Sequence, residues 1–162
     1  MTKLPVQELR FRLAYADCDP AQVVYYAAYY PWFERTSTEW WYSKGVRLDK
    51  MVESHGVAIV SRASGCEYLA PTRVFDLLAC RMYIGRLGET SVTFNFEMVR
   101  LDDLVTVATG FNTLVTITPG AGPKRIPASL VLQVLKATFR WVMRWWIKSR
   151  TSSIEIKSGD RR

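Results

Sequence analysis

The chain has 162 residues, 49% of them hydrophobic and 13% aromatic, with a formal charge of +7. That is one domain's length with enough apolar residues for a core, and its longest nearly apolar run, Val23 to Phe33, is too short to span a bilayer. The charge is lopsided: residues 140–162 hold seven Lys/Arg against two Asp/Glu, leaving 15 basic and 13 acidic residues on the first 139, a near-neutral body that argues against nucleic-acid binding. Met1 to Arg12 lacks an apolar run after its charges, so no secretory leader is expected. The cysteines, Cys18, Cys66 and Cys80, are odd in number and lack metal-ligand spacing. With a single histidine, His55, they predict reduced thiols in a cytoplasmic protein and no metal site.

In chain order, Glu8 to Tyr15 alternates apolar and charged residues, the signature of a half-buried strand. Asp17-Cys18-Asp19-Pro20 is a turn-forming cluster. Tyr29, Trp32, Phe33, Thr36 and Trp40 recur at helical spacing, predicting a helix over Tyr29–Lys44 with Pro31 in its first turn and Gly45 as its stop. The remainder reads as β: Val57–Tyr68 with an interruption around Gly65, Asp76–Leu87, Thr90–Leu101 and Thr106–Ile117. Tight connections are expected at residues 86–89 and 101–103, a loop over Thr118–Pro127, and a last helix from near Pro127. One early helix followed by consecutive antiparallel strands predicts an α+β fold with the helix laid on a single sheet.

The segment Tyr15-Ala16-Asp17-Cys18-Asp19-Pro20-Ala21-Gln22-Val23-Val24-Tyr25-Tyr26 resembles the active-site segment of the 4-hydroxybenzoyl-CoA thioesterase family, enzymes of the hotdog fold. Phe33-Glu34-Arg35 and Glu39 are similar to its central helix, and weaker likeness runs through residues 68–73, Asp76, 86–91 and Ile126-Pro127. The resemblance implies a curved antiparallel sheet wrapped around the Tyr29–Lys44 helix. It implies hydrolysis of an acyl- or aroyl-CoA thioester, with Asp19 as the catalytic carboxylate and the backbone N–H of Tyr26 as oxyanion donor. Gln22, Val24, Tyr25, Arg73 and Arg86 are the substrate contacts it suggests. It also implies at least a homodimer, often a tetramer, with active sites at subunit interfaces.

The chemistry is coherent with those residues. A thioester carbonyl needs a nucleophile or an activated water, and a carboxylate supplies either. The first N–H groups of a helix lack intrahelical partners and favour negative charge, and one such donor to an oxyanion contributes about 3 kcal/mol. Carboxylate, water and helix end require no cofactor. Asp17 is expected to make a turn hydrogen bond.

Three positions depart from the family pattern. Gln22 stands where Gly is common, so a larger side chain narrows the acyl pocket or meets the substrate. Ala28 stands where Asn or Ser often caps the helix, so another group must serve those N–H donors. Gly88-Glu89-Thr90 replaces most of a basic, nucleotide-binding cluster, leaving Arg86 and Arg73. A weaker nucleotide site suits a thioester carried on a protein; a non-catalytic thioester-binding protein is the other alternative.

His55 is the only histidine available to a dehydratase mechanism, and its place after the helix, away from Asp19, argues against that chemistry. The chain divides into a catalytic domain over residues 1–139 and a basic, tryptophan-rich extension over 140–162. In the last helix Lys136, Arg140, Arg144 and Lys148 fall every four residues beside Trp141, Val142, Trp145 and Trp146. That pattern suits packing against a neighbouring subunit or weak contact with a membrane surface; residues 151–162 are expected to be a disordered tail.

Overall fold

The structure, a computed structural model, describes residues 4–137. The domain boundary expected at 139/140, the extension beyond it and its tail lie outside the described residues. The elements run β1 (Gln7–Arg12), α1 (Tyr29–Ser43), α2 (Met51–His55), β2 (Ala58–Tyr68), β3 (Leu77–Leu87), β4 (Ser91–Arg100), β5 (Val105–Thr118) and β6 (Gly122–Pro123). A last helix, α3, occupies 128–137. The sheet order is β1-β3-β4-β5-β2, every pairing antiparallel, with β6 folded back on the end of β5.

The expected α+β architecture is present, with α1 against the inner face of the sheet. Phe33 of α1 stacks on Phe96 of β4, ring centroids 4.6 Å apart and planes 14° from parallel. Trp40, Trp41 and Phe94 form an edge-to-face cluster deeper in the core. Such pairs add about 1 kcal/mol beyond area burial. Close approach of α1 to the sheet requires Gly110: a Cβ there would lie 2.7 Å from Phe33 Cζ and 2.8 Å from the Gly65 carbonyl oxygen.

The expected helix holds within one residue at its C-terminus, where Gly45, at φ 75°, turns the chain and Val46 N–H bonds back to the Trp41 carbonyl at 3.0 Å. The absent cap at Ala28 is also explained. A 3-10 turn over Tyr26–Ala28 leads directly into α1, so the helical backbone begins upstream of Tyr29, and Pro31 has no N–H to satisfy.

Four details differ from expectation. β1 ends at Arg12 because Leu13 pairs instead with residues 75–76, through Leu13 N–H to Asp76 O at 3.0 Å and Phe75 N–H to Leu13 O at 3.0 Å. The chain then coils into a 3-10 turn at Tyr15–Asp17. β2 is not interrupted at Gly65; the Phe111 ring lies over that glycine, and the irregularity is a bulge between Ser61 and Ala63. Residues 51–55, to which the sequence assigns no element, form a short helix. The loop of residues 118–127 contains β6, which pairs Ile117 with Pro123.

Candidate functional site

Residues 17–25 fold into a tight hairpin. Cys18 and Val24 bridge antiparallel, Asp19 N–H donates to Val23 O at 2.9 Å, and Tyr25 N–H donates to Asp17 O at 2.9 Å. The tip is Asp19-Pro20-Ala21-Gln22, closed by Gln22 N–H to Asp19 O at 2.9 Å. Pro20 presets the turn's backbone angle, and Asp19 Oδ1 accepts Ala21 N–H at 2.8 Å. One oxygen of Asp19 is thereby fixed, while the other has no partner among the described residues. Asp19 itself is half-buried.

Asp17 serves the backbone instead. Its Oδ2 accepts Ala14 N–H at 2.8 Å and closes the 3-10 turn that precedes the hairpin. The expected structural hydrogen bond is the one observed.

Gln22 sits at φ 62°, in the left-handed region. A glycine preference there is a backbone matter, since a non-glycine residue in this region costs about 1 kcal/mol. Gln22→Gly should raise stability by about 1 kcal/mol, lifting Tm by about 2–4 °C. An unchanged or lowered Tm in a thermal melt would show that the Gln side chain more than offsets the backbone strain.

The hairpin leans on a rigid floor. Val24, buried in the core, donates its N–H to Thr72 O at 3.1 Å, and Val23 bridges Arg73. Thr72 is itself buried, with its hydroxyl 3.2 Å from the Tyr29 hydroxyl. Asp76 accepts the Arg73 N–H at 2.9 Å, and Arg100 spans from Asp103, at 2.7 Å, to the Pro71 carbonyl, at 2.9 Å. These bonds set the hairpin against the N-terminal end of α1.

Tyr26 follows the hairpin and opens the 3-10 turn. Its ring is exposed, and its N–H has no acceptor among the described residues. Tyr25, also exposed, tilts against it at 4.5 Å between ring centroids. An open cleft beside them is lined by Asp17, Tyr25, Ala28, Trp32 and Arg35.

The Cys18 thiol, in the hairpin, is pushed above its ordinary pKa, first by burial and then by the carboxylates of Asp17, Asp19 and Asp76. It is therefore held as the neutral thiol, a poor nucleophile.

Arg73 is exposed and adjoins the hairpin through its backbone. Arg86 is not brought to it: it stands nine residues along β3 from Leu77, about 30 Å at strand rise. His55 lies past the far end of α1, with Nδ1 2.7 Å from the Ser54 hydroxyl, and α1 itself is about 22 Å long.

Two groups escaped sequence reasoning. Tyr68 donates its hydroxyl to the Tyr26 carbonyl at 2.9 Å and so pins the turn that presents the Tyr26 N–H. Withdrawal of that hydroxyl from water, together with the nearby Cys66 and Tyr30, pushes its pKa up to about 12, so it remains a donor. Asn112 accepts from Ser61 at 2.6 Å and Ser64 at 3.2 Å, a polar cluster at the sheet edge. Strand parity was the available signal, since Ser64, Cys66 and Tyr68 share one face of β2.

Comparison with known proteins agrees with this architecture. The profile of the family described as the thioesterase superfamily matches residues 21–107. The acyl-CoA thioester hydrolase YbgC of Escherichia coli is 32% identical over 92 residues, 57% of this chain and 68% of that protein. The acyl-CoA thioesterase YbgC of Haemophilus influenzae is 26% identical over 121 residues, 73% of this chain and 89% of that one. Among solved structures, a 1,4-dihydroxy-2-naphthoyl-CoA thioesterase from Synechocystis superimposes with TM-score 0.74 at 17% identity, over 80% of this chain and 95% of that one. A mutant 4-hydroxybenzoyl-CoA thioesterase, complexed with 4-hydroxybenzoyl-CoA, gives TM-score 0.72 at 17% identity, over 78% and 96%. The structural likenesses show the fold, and it is the hotdog fold.

Proposed function

The chain belongs to the thioesterase superfamily, and on that premise we propose that it hydrolyses an acyl- or aroyl-coenzyme A thioester to the free acid and coenzyme A, with Asp19 as the catalytic carboxylate. The observation that carries this reading is the hairpin tip. It fixes one Asp19 oxygen, leaves the other unpartnered, and leads within seven residues to the unpartnered N–H of Tyr26. The thioester carbonyl oxygen, placed on that N–H, gains stabilisation as it becomes an oxyanion.

Two routes use these groups. In one, the free Asp19 oxygen attacks the carbonyl, the C–S bond breaks, the thiolate leaves and takes a proton from solvent, and water hydrolyses the mixed anhydride, releasing the acid and a proton and restoring the Asp19 carboxylate. In the other, Asp19 takes a proton from a water that attacks directly, and that proton passes to the departing thiolate. Gln22 and Tyr25 of the hairpin and Arg73 beside it serve as substrate contacts, with Val24 bracing them from the core. Thiol release from a panel of acyl- and aroyl-CoA thioesters tests the proposal.

Cys18 is the competing nucleophile by position, and its raised pKa speaks against that role. Cys18→Ser should keep thiol release within about threefold of the natural protein. A loss comparable to that of a catalytic group would transfer the nucleophile to the thiol.

A homodimer completes the site in this reading. β2 stands at the sheet edge with most of its residues exposed, Val60 and Tyr68 among them, and an unpaired edge is a template for another strand. Arg86, too distant within one chain, then serves a neighbouring subunit's substrate. A thioester borne on a carrier protein is the second reading. It is favoured by the residue 88–90 turn, where Glu89 pairs with Arg125 at 3.2 Å instead of presenting cations to a nucleotide. The three free thiols support a reducing, cytoplasmic setting.

A further inference from the structure

α3 is apolar on two faces. Leu130 and Val134, each 1% exposed, pack into the core beside Ile126. On the outward side Leu132 and Leu135 are each 49% exposed. Three residues apart, they lie together on one helix face and border a surface groove with Val131, Ala128 and the Glu89–Arg125 ion pair. Lys136, one helical turn from Leu132, is exposed at its rim.

The sequence beyond continues the pattern. Phe139, Val142 and Trp146 follow Leu135 at intervals of four, three and four residues, and Arg140, Arg144 and Lys148 follow Lys136 every four. Apolar and cationic residues at these spacings have the composition of a segment suited to a lipid interface, and tryptophan is the side chain most at home at headgroup depth.

We propose that the outward face of α3, centred on Leu132 and Leu135, docks on an anionic lipid surface. Charge selects this occupant over a second copy of the chain. Residues 140–162 carry a net +5, so apposing two copies through this face brings like charges together, whereas anionic headgroups neutralise them. The contact is peripheral: no helix among the described residues is long and apolar enough to cross a membrane. It also leaves the hairpin accessible, because Leu130 and Val134 meet Trp41 near the C-terminal end of α1 and Asp19 lies beyond its N-terminal end.

The test is sedimentation of the full chain with vesicles of phosphatidylcholine alone or mixed equally with phosphatidylglycerol. The natural protein should pellet with the anionic vesicles, weakly with the neutral ones, and less as salt is raised. Leu132→Ser combined with Leu135→Ser should weaken anionic binding about tenfold, with solution thioester hydrolysis and Tm unchanged. Arg125→Glu combined with Lys136→Glu, which removes no apolar contact, should weaken it by a similar factor. Equal pelleting of both double variants and the natural protein overturns the proposal, as does a natural protein that stays in the supernatant. A leucine variant whose oligomer mass falls without lipid assigns the face to a second copy instead. Because hydrolysis is read separately, failure here leaves the thioesterase reading intact.

Discussion

Asp19→Asn should abolish nearly all thiol release while leaving the fold in place. The substitution is isosteric, and the amide oxygen can still accept the Ala21 N–H that fixes the hairpin tip. What disappears is the negative charge needed for attack on a thioester or for removal of a proton from water. Loss of a positioned acid–base group lowers rates by about 100- to 10,000-fold, and a nucleophile's loss falls at the upper end. The readout is kcat on the best substrate of the thioester panel, with a thermal melt to show that the variant is folded. Undiminished turnover would remove Asp19 from the mechanism. A natural protein that hydrolyses carrier-bound but not coenzyme A thioesters would move the substrate and keep the residue.

The second large effect is structural. Gly110→Ala places a methyl group against the Phe33 ring and the Gly65 carbonyl. Phe33 cannot yield easily, because it is 2% exposed and stacked on Phe96 at 4.6 Å. Overpacking of this kind costs about 1–3 kcal/mol, and displacement of a whole helix belongs at the top of that range, lowering Tm by roughly 5–10 °C. Phe33→Leu in the Gly110→Ala background should recover part of the loss, since the shorter side chain vacates the contested space. A melt for Gly110→Ala that matches the natural protein would show that α1 is free to shift, and the stacked pair would not be what seats it.

Much of this is legible in the sequence for identifiable reasons. The period of Tyr29, Phe33, Thr36 and Trp40 specifies α1 and its buried face, because a helix resting on a sheet must keep one stripe apolar. The alternation in residues 93–97 marks β4, which the structure pairs on both sides. The Asp19-Pro20 dipeptide announces a turn. What escapes depends on partners distant in sequence. The end of β1 is set by residues 75–76. The continuity of β2 across Gly65 is set by Phe111, 46 residues later. The bond from Tyr68 to the Tyr26 carbonyl spans 42 residues. By residue type Gln22 is a side-chain matter, whereas the structure shows its backbone in the left-handed region; a single sequence shows residue type but not φ.

The sheet order has a consequence for how the chain reaches its native state. β3, β4 and β5 form a local meander joined by short turns, so each of their pairings closes only a small loop. β1 and β2 precede them in the chain yet pair with β3 and β5, Gln7 with Met82 and Ala58 with Ile117. Both therefore wait for strands synthesised later. Loop closure penalises such distant pairings, which places the meander first in the folding order and the two edge strands last. Until then α1, already made, has no surface on which to hide Phe33, Trp40 and Trp41. A nascent chain that exposes such a helix ahead of its sheet passes through a sticky interval, and that interval ends only when β5 leaves the ribosome.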